Sequence, residues 1–431
     1  MIHKIFEPSA SQYAELCQRP SIDQALLTTG IQTIFNEIKR NGDAAVRNYT
    51  EKFDGICLPS SVLDLNGISL ESINISIDLK EAIQTAYANI YKFHEAQKTV
   101  DIEVKTMEGI NCSLRSVPIE KVGIYIPGGT APLFSTVLML AIPAQIAGCG
   151  QVILCTPPDK LGNIHPAILY AALLCGNQEI RLVGGAQAIA AMTFGTKEIP
   201  AVAKIFGPGN QYVTAAKQLA QNYGVAIDMP AGPSEVLVYG DATSVPAFMA
   251  ADLLAQAEHG TDSQVMLVLS DKEKLEETLM EIEKQMEDLP RKSIAKQALA
   301  HSKAIVIADV NNAFDFINQY APEHLIIASE KPSDYIPYIK NAGSVFLGNY
   351  CPESAGDYAS GTNHTLPTNG WARSYSGVNL DAFTKKISFQ SITKEGIQSL
   401  GKTIITMAEG EQLQAHANAV KVRLAKLSTS I

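Results

Sequence analysis

No cysteine in this chain stands three residues from another: the seven, at 17, 57, 112, 149, 155, 175 and 351, are scattered and odd in number. That argues against a disulfide framework and against a cysteine zinc knuckle, and a reducing cytoplasm is the expected setting. Lys and Arg form no cluster and are outnumbered 34 to 44 by Asp and Glu, a net charge of −10 that argues against a nucleic-acid partner. The opening MIHKIFEPSASQYAEL has no apolar core of signal-peptide length. No charge appears between Lys121 and Asp159, but Pro127, Pro132, Pro143 and the glycines at 128, 129, 148 and 150 cut that run into pieces too short to cross a bilayer. No membrane association is expected. There is also no fixed-period repeat and no low-complexity tract.

What is present, 431 residues with 46% hydrophobic and 18% charged, is the composition of a globular enzyme of two or three domains. From KVGIYIP onward, strand-like and helix-like segments alternate with short Gly/Pro turns: PLFSTVLMLAIPAQIAG, QVILCTPP, HPAILYAALLCG, EIRLVGG, AQAIAAMTFG, AVAKIFG and NQYVTAAKQLAQNYG. Repeated βα units of this kind predict a doubly wound parallel sheet over about 122–235. A second series, SEVLVYG, QVMLVLSD, AIVIADV, EHLIIAS and SVFLG with helices between, predicts another α/β layer. The first hundred residues read as mainly helical, and the last fifty as a strand followed by helices.

Several polar clusters interrupt this pattern. In LLAQAEHGTD, Gln256 and His259 are three apart and share a face at the end of a helix stopped by Gly260. They are either half of a metal site or a histidine at the negative helix end beside a glutamine bonded to a loop. In APEHL, Glu323 and His324 are either an acid/base pair or the surface start of a strand. Asp357 and His364 lie in the Gly/Ser/Pro-rich stretch SAGDYASGTNHTLPT, read as a loop. Glu411 and His416 are five apart on a probable helix and so do not share a face. One Gln, one Asp and two His suit Zn²⁺ without cysteine, although spacing leaves open whether they meet. FGPGN begins like the dinucleotide fingerprint, but Tyr212 stands where its third glycine belongs. GIQSLGKT, 396–403, matches the P-loop pattern, but Ile397, Leu400, Ile404 and Ile405 continue a helical stripe through it, so a solvated helix carrying Lys402 is expected.

Taken in order, YIPGG, GGAQAIAA, FGPGN, MPAGPSE, AQAEHG, APEHL, SAGDYASGTNHTLPT and AEGEQLQAH resemble the histidinol dehydrogenase family over nearly the whole chain. The resemblance implies two incomplete Rossmann-like domains related to aldehyde dehydrogenases, with small N- and C-terminal pieces. The implied boundaries are an arm of 1–23, a first domain of 24–121 with 236–375, a second of 122–235, and a tail of 376–431 reaching the other subunit of a homodimer. It implies NAD-dependent oxidation of L-histidinol through L-histidinaldehyde to L-histidine, the last step of histidine biosynthesis. It further implies zinc on Gln256, His259, Asp357 and His416 of the partner subunit, with Glu323 and His324 as acid/base residues. Ser234, His364 and Glu411 would join the zinc ligands and His324 in touching substrate; Tyr125, Gln187 and Asn210 would touch NAD. The chemistry suits them: a neutral His324 can take the alcohol proton near pH 7, and Glu323 can activate the water added to the aldehyde. Zinc would chiefly orient the substrate. No cysteine matches a family nucleophile, although Cys112 or Cys155 could form a thiohemiacetal. A zinc hydrolase on the same residues, and a zinc-dependent scaffold, are the alternatives from other classes.

Overall fold

The computed structural model describes residues 2–19, 24–128, 131–230 and 232–428, so the end of the expected arm (20–23), Gly129 of YIPGG and Ala231 of MPAGPSE lie outside the described residues. Contacts divide the chain into one unit of Met1–Gln97 with Ile119–Phe383 and another of Lys98–Pro118 with Thr384–Ile431. In chain order the described strands are β1 (His3–Phe6), β2 (Val62–Asp64), β3 (Ile102–Met107), β4 (Ile110–Pro118), β5 (Lys121–Tyr125), β6 (Gln151–Thr156), β7 (Glu179–Leu182), β8 (Lys204–Phe206), β9 (Ala226–Ile227), β10 (Glu235–Gly240), β11 (Gln264–Leu269), β12 (Lys303–Val306), β13 (His324–Ala328), β14 (Ser344–Leu347) and β15 (Thr384–Ile392).

The larger unit holds two six-stranded sheets. One runs β1-β12-β11-β10-β13-β14, all parallel. The other runs β2-β7-β6-β5-β8-β9, with only β2 antiparallel. Counted from β10 and from β5, both have the strand order 3-2-1-4-5, the Rossmann order without its sixth strand, and each adds one edge strand beside the third. The two α/β layers expected from the alternation are therefore present, and they are the incomplete Rossmann-like pair that the resemblance implies. The central strand β11 is uncharged and every residue of it is buried, as a strand covered on both faces requires. In β6, Leu154 faces one core while Ile153 and Cys155 face the other, the period of two that a strand imposes.

The early chain departs from the mainly helical expectation. Helices Gln24–Asn41, Asp43–Asp54 and Ile77–Glu95 are there, but β1 extends one sheet by pairing with β12 and β2 extends the other by pairing with β7. The residues of β1 are mostly exposed, so no buried stripe marked them, and pairing with a strand three hundred residues away makes them a strand. The helices of 24–97 share cores with the 122–235 layer: Phe35 and Ile38 with Ile189 and Val213, Ile83 and Ile90 with Val122 and Leu138. This differs from the expected grouping of 24–121 with 236–375, because an apolar helix face specifies burial but not which sheet supplies it.

The smaller unit is the antiparallel sheet β15-β4-β3 with helices Lys394–Gly410 and Gln414–Ser428. The first helix runs unbroken through GIQSLGKT with Lys402 exposed, so no phosphate loop forms. A Cβ at Gly401 would lie 2.8 Å from Leu424 Cδ1, so glycine lets the two helices approach. Glu411 and His416 do not share one helix as expected. Glu411 caps the first, Gln412 turns the chain at φ +61°, and His416 lies in the first turn of the second. No helix of the described residues is long and apolar enough to cross a membrane.

Candidate functional site

At the carboxyl ends of β5, β7 and β8 a cleft of about 1590 Å³ is lined by Tyr125, Gln187 and Asn210. Tyr125 ends β5, and its hydroxyl accepts the Gly185 N–H at 3.0 Å, fixing the turn that starts helix Gly185–Phe194. Burial pushes its phenol up to about 12, so it stays protonated. Gln187, in the first turn of that helix, is 1% exposed with neither amide atom hydrogen-bonded. Asn210 caps helix Gln211–Gln221, accepting from Tyr212 N and Val213 N at 3.1 Å each. The turn before it needs its glycine: Gly207 has φ +129°, and a Cβ there would come within 2.1 Å of the Tyr125 carbonyl oxygen. The buried pair Lys217–Asp228 clamps this turn, Lys217 Nζ donating to Gly207 O at 2.7 Å and Asp228 Oδ2 accepting Gly207 N at 2.8 Å. The cleft thus lies at a topological switch point, beyond the carboxyl ends of neighbouring strands 1 and 4.

The second cluster occupies the amino ends of the other sheet. His324 opens β13 and pairs with Val236 of β10, while Glu323 immediately precedes it. Both are buried, at 6% and 4% exposed for Glu323 and His324, which rules out the surface-strand reading of APEHL. A helix joining parallel strands runs back against them, so Pro246–Ala257 carries Gln256 to the amino edge between β10 and β11. This helix ends at Ala257, two residues short of the expected His259, and Gly260 is not left-handed. Glu258 continues the right-handed turn, and Asp262 Oδ1 closes on Gly260, where a Cβ would lie 2.7 Å from it. Asp357 is not in a loop as expected: Pro352 caps a short helix, Glu353–Tyr358, that presents Glu353 and Asp357 one turn apart.

Around His324, Nδ1 lies 3.2 Å from the Glu235 carbonyl, 3.6 Å from Glu353 Oε1 and 3.7 Å from Glu323 Oε2, while Nε2 lies 3.7 Å from Asp357 Oδ1. The last distance is an ion-pair separation, too long for a hydrogen bond, and Nε2 has no hydrogen-bond partner. His364 Nδ1 donates to the Asp357 carbonyl at 2.8 Å, and its Nε2 lies 3.2 Å from Thr136 Oγ1. Ser234, Glu323 and His364 line a cavity of about 90 Å³ together with Gly207 and Asp228, so the amino edge of one sheet faces the carboxyl edge of the other.

Burial pushes the Glu323 carboxyl up to about 7 and that of Glu353 up to about 8, with His324 opposing both. Burial disfavours the His324 cation, but Glu353, Glu323 and Asp357 outweigh it and hold its pKa well above the usual histidine value. The neutral His324 expected at pH 7 therefore requires added positive charge beside these carboxylates. Burial would raise Asp357, yet His324, His364 and His259 hold it below the usual range. Burial lowers His364, and desolvation by the protein packed around its ring lowers His259 although the residue stays exposed at the rim; Asp357 opposes in both cases, so these histidines and Asp357 form one electrostatic group.

Ligating atoms of His324, Glu353 and Asp357 all lie within 4.8 Å of one another, a group able to hold a metal ion. Gln256 is fully buried with both amide atoms lacking a hydrogen-bond partner, a costly state for a group with no ligand. An oxygen and nitrogen donor set without sulfur fits zinc or a comparable divalent ion. His259 is exposed at the rim of this region, and Glu411 and His416 are exposed in the other unit. Cys155 is fully buried, and burial pushes its thiol up to about 12, so it is no nucleophile; Cys112 lies on β4 of the smaller unit. Glu353 escaped the sequence reading, although its place four residues before Asp357 in PESAGDY was a usable signal. Asp252, one turn before Gln256 and pushed up to about 7 by burial, escaped it too.

A cleft at one switch point and a buried acid/base cluster facing it have the build of a two-layer, nucleotide-dependent oxidoreductase. A family model described as histidinol dehydrogenase matches residues 17–424. The chain is 54% identical over 424 residues to the histidinol dehydrogenase of Bacteroides thetaiotaomicron, covering 98% of this chain and 99% of that one. It is 51% identical over 425 residues to the chloroplastic histidinol dehydrogenase of Arabidopsis thaliana, covering 98% and 91%. The crystal structure of histidinol dehydrogenase from Elizabethkingia anophelis superposes with a TM-score of 0.96 at 56% identity, covering 99% of both chains. The chain belongs to the histidinol dehydrogenase family, and it is an NAD-dependent oxidoreductase of histidine biosynthesis.

Proposed function

We propose that this protein oxidises L-histidinol to L-histidinaldehyde and then to L-histidine, passing one hydride to each of two NAD molecules, in the cytoplasm. The observation that carries the reading is the small cavity where Ser234, Glu323 and His364 face the turn of the nucleotide cleft, beside a His324 whose Nε2 is unpartnered. Tyr125, Gln187 and Asn210 hold NAD. Ser234, His364 and Glu411 contact substrate. In the first step the carbinol carbon loses hydride while His324 Nε2 accepts the hydroxyl proton, its Nδ1–H remaining on the Glu235 carbonyl. In the second, Glu323 takes a proton from the water that adds to the aldehyde carbon, and the resulting hydrate anion loses the second hydride to leave the carboxylic acid. Gln256, His259 and Asp357, with His416 of the partner subunit, would hold zinc. When bound, zinc supplies positive charge beside Asp357 and orients the imidazole and amino nitrogens of the substrate.

The test is NADH absorbance on adding L-histidinol, with and without a chelator. No NADH with an intact fold would leave a zinc hydrolase as the reading. Sharing of sites in a homodimer rests on the position of Glu411 and His416 in the 376–431 tail, exposed in the single chain. Mixing inactive His324→Ala and His416→Ala proteins, with exchange verified by mass-tagged subunits, should restore activity up to one working site per heterodimer. Exchange without recovery would assign His416 to its own chain.

A further inference from the structure

Glu235, the first residue of β10, makes two main-chain contacts with the acid/base pair. Its N–H donates to Glu323 Oε2 at 2.9 Å, and its carbonyl accepts from His324 Nδ1 at 3.2 Å. The side chain of Glu235 is 2% exposed and is gripped by the guanidinium of Arg19, whose Nε contacts Oε2 and whose Nη2 donates to Oε1 at 2.9 Å. The same Nη2 donates to the Tyr320 carbonyl at 2.7 Å, and the guanidinium lies 3.9 Å above the Tyr320 ring. The Tyr320 hydroxyl stands 2.9 Å from Gln264 Oε1 and 3.2 Å from Glu235 Oε2. Tyr320 ends the helix Val310–Tyr320, three residues before Glu323. One planar fork therefore ties the start of β10 to the segment that delivers both reacting side chains. A two-point Arg–carboxylate contact fixes direction as well as distance.

We propose that Glu235, locked by Arg19, is a positioning residue for the Glu323–His324 pair: its N–H aims the Glu323 carboxyl, and its carbonyl keeps the His324 proton on Nδ1, leaving Nε2 to face the substrate. The inference rests on the acid/base reading of that pair, but its chief readout does not. A merely structural ion pair would have no reason to select a histidine tautomer. Replacing a buried pair by apolar residues of similar volume is often tolerated by a fold, whereas removing one partner strands a buried charge. The double variant Arg19→Leu/Glu235→Leu is therefore the informative one, with Arg19→Lys, which keeps the charge and loses the fork, as the fallback should the double variant fail to fold.

In the zinc-loaded enzyme the folded variant should lose roughly 10- to 100-fold in kcat, the cost of a reacting group displaced by about 1 Å, with KM for NAD unchanged. Glu235→Gln, which keeps the side chain's shape and an oxygen for Arg19, should recover most of that rate. ¹⁵N NMR of histidine-labelled protein, at a pH where the ring is neutral, should show His324 protonated on Nδ1 in the parent and shifted toward Nε2 in the variant. An unchanged tautomer, or a lower melting temperature with unchanged kcat per folded molecule, would overturn the proposal. Full activity in His324→Asn would sink the acid/base reading instead, while the tautomer measurement would still decide whether Glu235 sets the ring.

Discussion

The two large sheets have the same strand order, yet their candidate site residues lie at opposite ends of equivalent strands. In the β5–β9 layer the cleft residues Tyr125 and Asn210 follow strands 1 and 4 at their carboxyl ends, the usual ligand edge of an open α/β sheet. In the β10–β14 layer Glu235, Glu323 and His324 sit at the amino ends of strands 1 and 4. Topology therefore does not dictate which edge reacts. The cavity lined by Gly207, Asp228, Ser234, Glu323 and His364 gives the reason: the turn after strand 4 of one sheet and the amino edge of the other meet across one small space. A redox enzyme that must hold a nicotinamide against the carbon being oxidised gains proximity from that arrangement.

If the amino edge supplies chemistry and the carboxyl edge supplies cofactor binding, the two should separate under perturbation. Chelation should have the largest effect, abolishing turnover while far-UV circular dichroism keeps its helical signal, because both Rossmann-like layers have apolar cores of their own. Loss of helix in step with activity would make the metal structural. Next, Glu323→Gln and His324→Asn should each lower kcat by roughly 10²- to 10⁴-fold, the usual worth of acid/base catalysis, with NAD affinity unchanged. Glu323→Gln should impair oxidation of added histidinaldehyde more than the alcohol step, and equal losses would end that division of labour.

A change at the carboxyl edge should behave in the opposite way. Gly207→Ala forces a side chain against the Tyr125 carbonyl at a positive φ, a strain of roughly 1–3 kcal/mol. KM for NAD should rise well beyond any fall in kcat; a pure kcat effect would erase the distinction between the edges.

The smallest effect is expected behind the amino edge, at Asp252. Its folded pKa of about 7 lies above the unfolded value, so the folded state keeps a proton that the unfolded chain has lost. Parent stability should therefore fall as pH rises from about 4 to about 7 and remain lower above that. Asp252→Asn lacks this fall, so its advantage in melting temperature should open across the same window to roughly 2–4 °C, the shift that about 1 kcal/mol gives in a large domain. An advantage that widens toward acid pH would contradict the burial of this carboxyl.

Much of this was legible from sequence, because alternation and length are local signals. QVMLVL and EHLIIA read as strands of an α/β layer, the stripe through Ile397 and Leu400 excluded a P-loop, and the ordered motifs identified the family. Edge strands β1 and β2 were not legible, since an exposed strand becomes one only by pairing with a distant partner. Nor was the place where the AQAEHG helix ends, at Ala257 with Glu258 as its cap rather than at Gly260. Sequence alone determined which chemical groups are available and in what order they follow one another. Tertiary structure alone decided that Glu353 stands 3.6 Å from the ring of His324, that three acidic side chains raise the pKa of that ring, and that the main chain of Glu235 aims it. The physical reason is that burial and Coulomb interaction depend on distance in space, and residues 235, 324 and 353 acquire that distance only when parallel strands and their return helices bring their amino edges together.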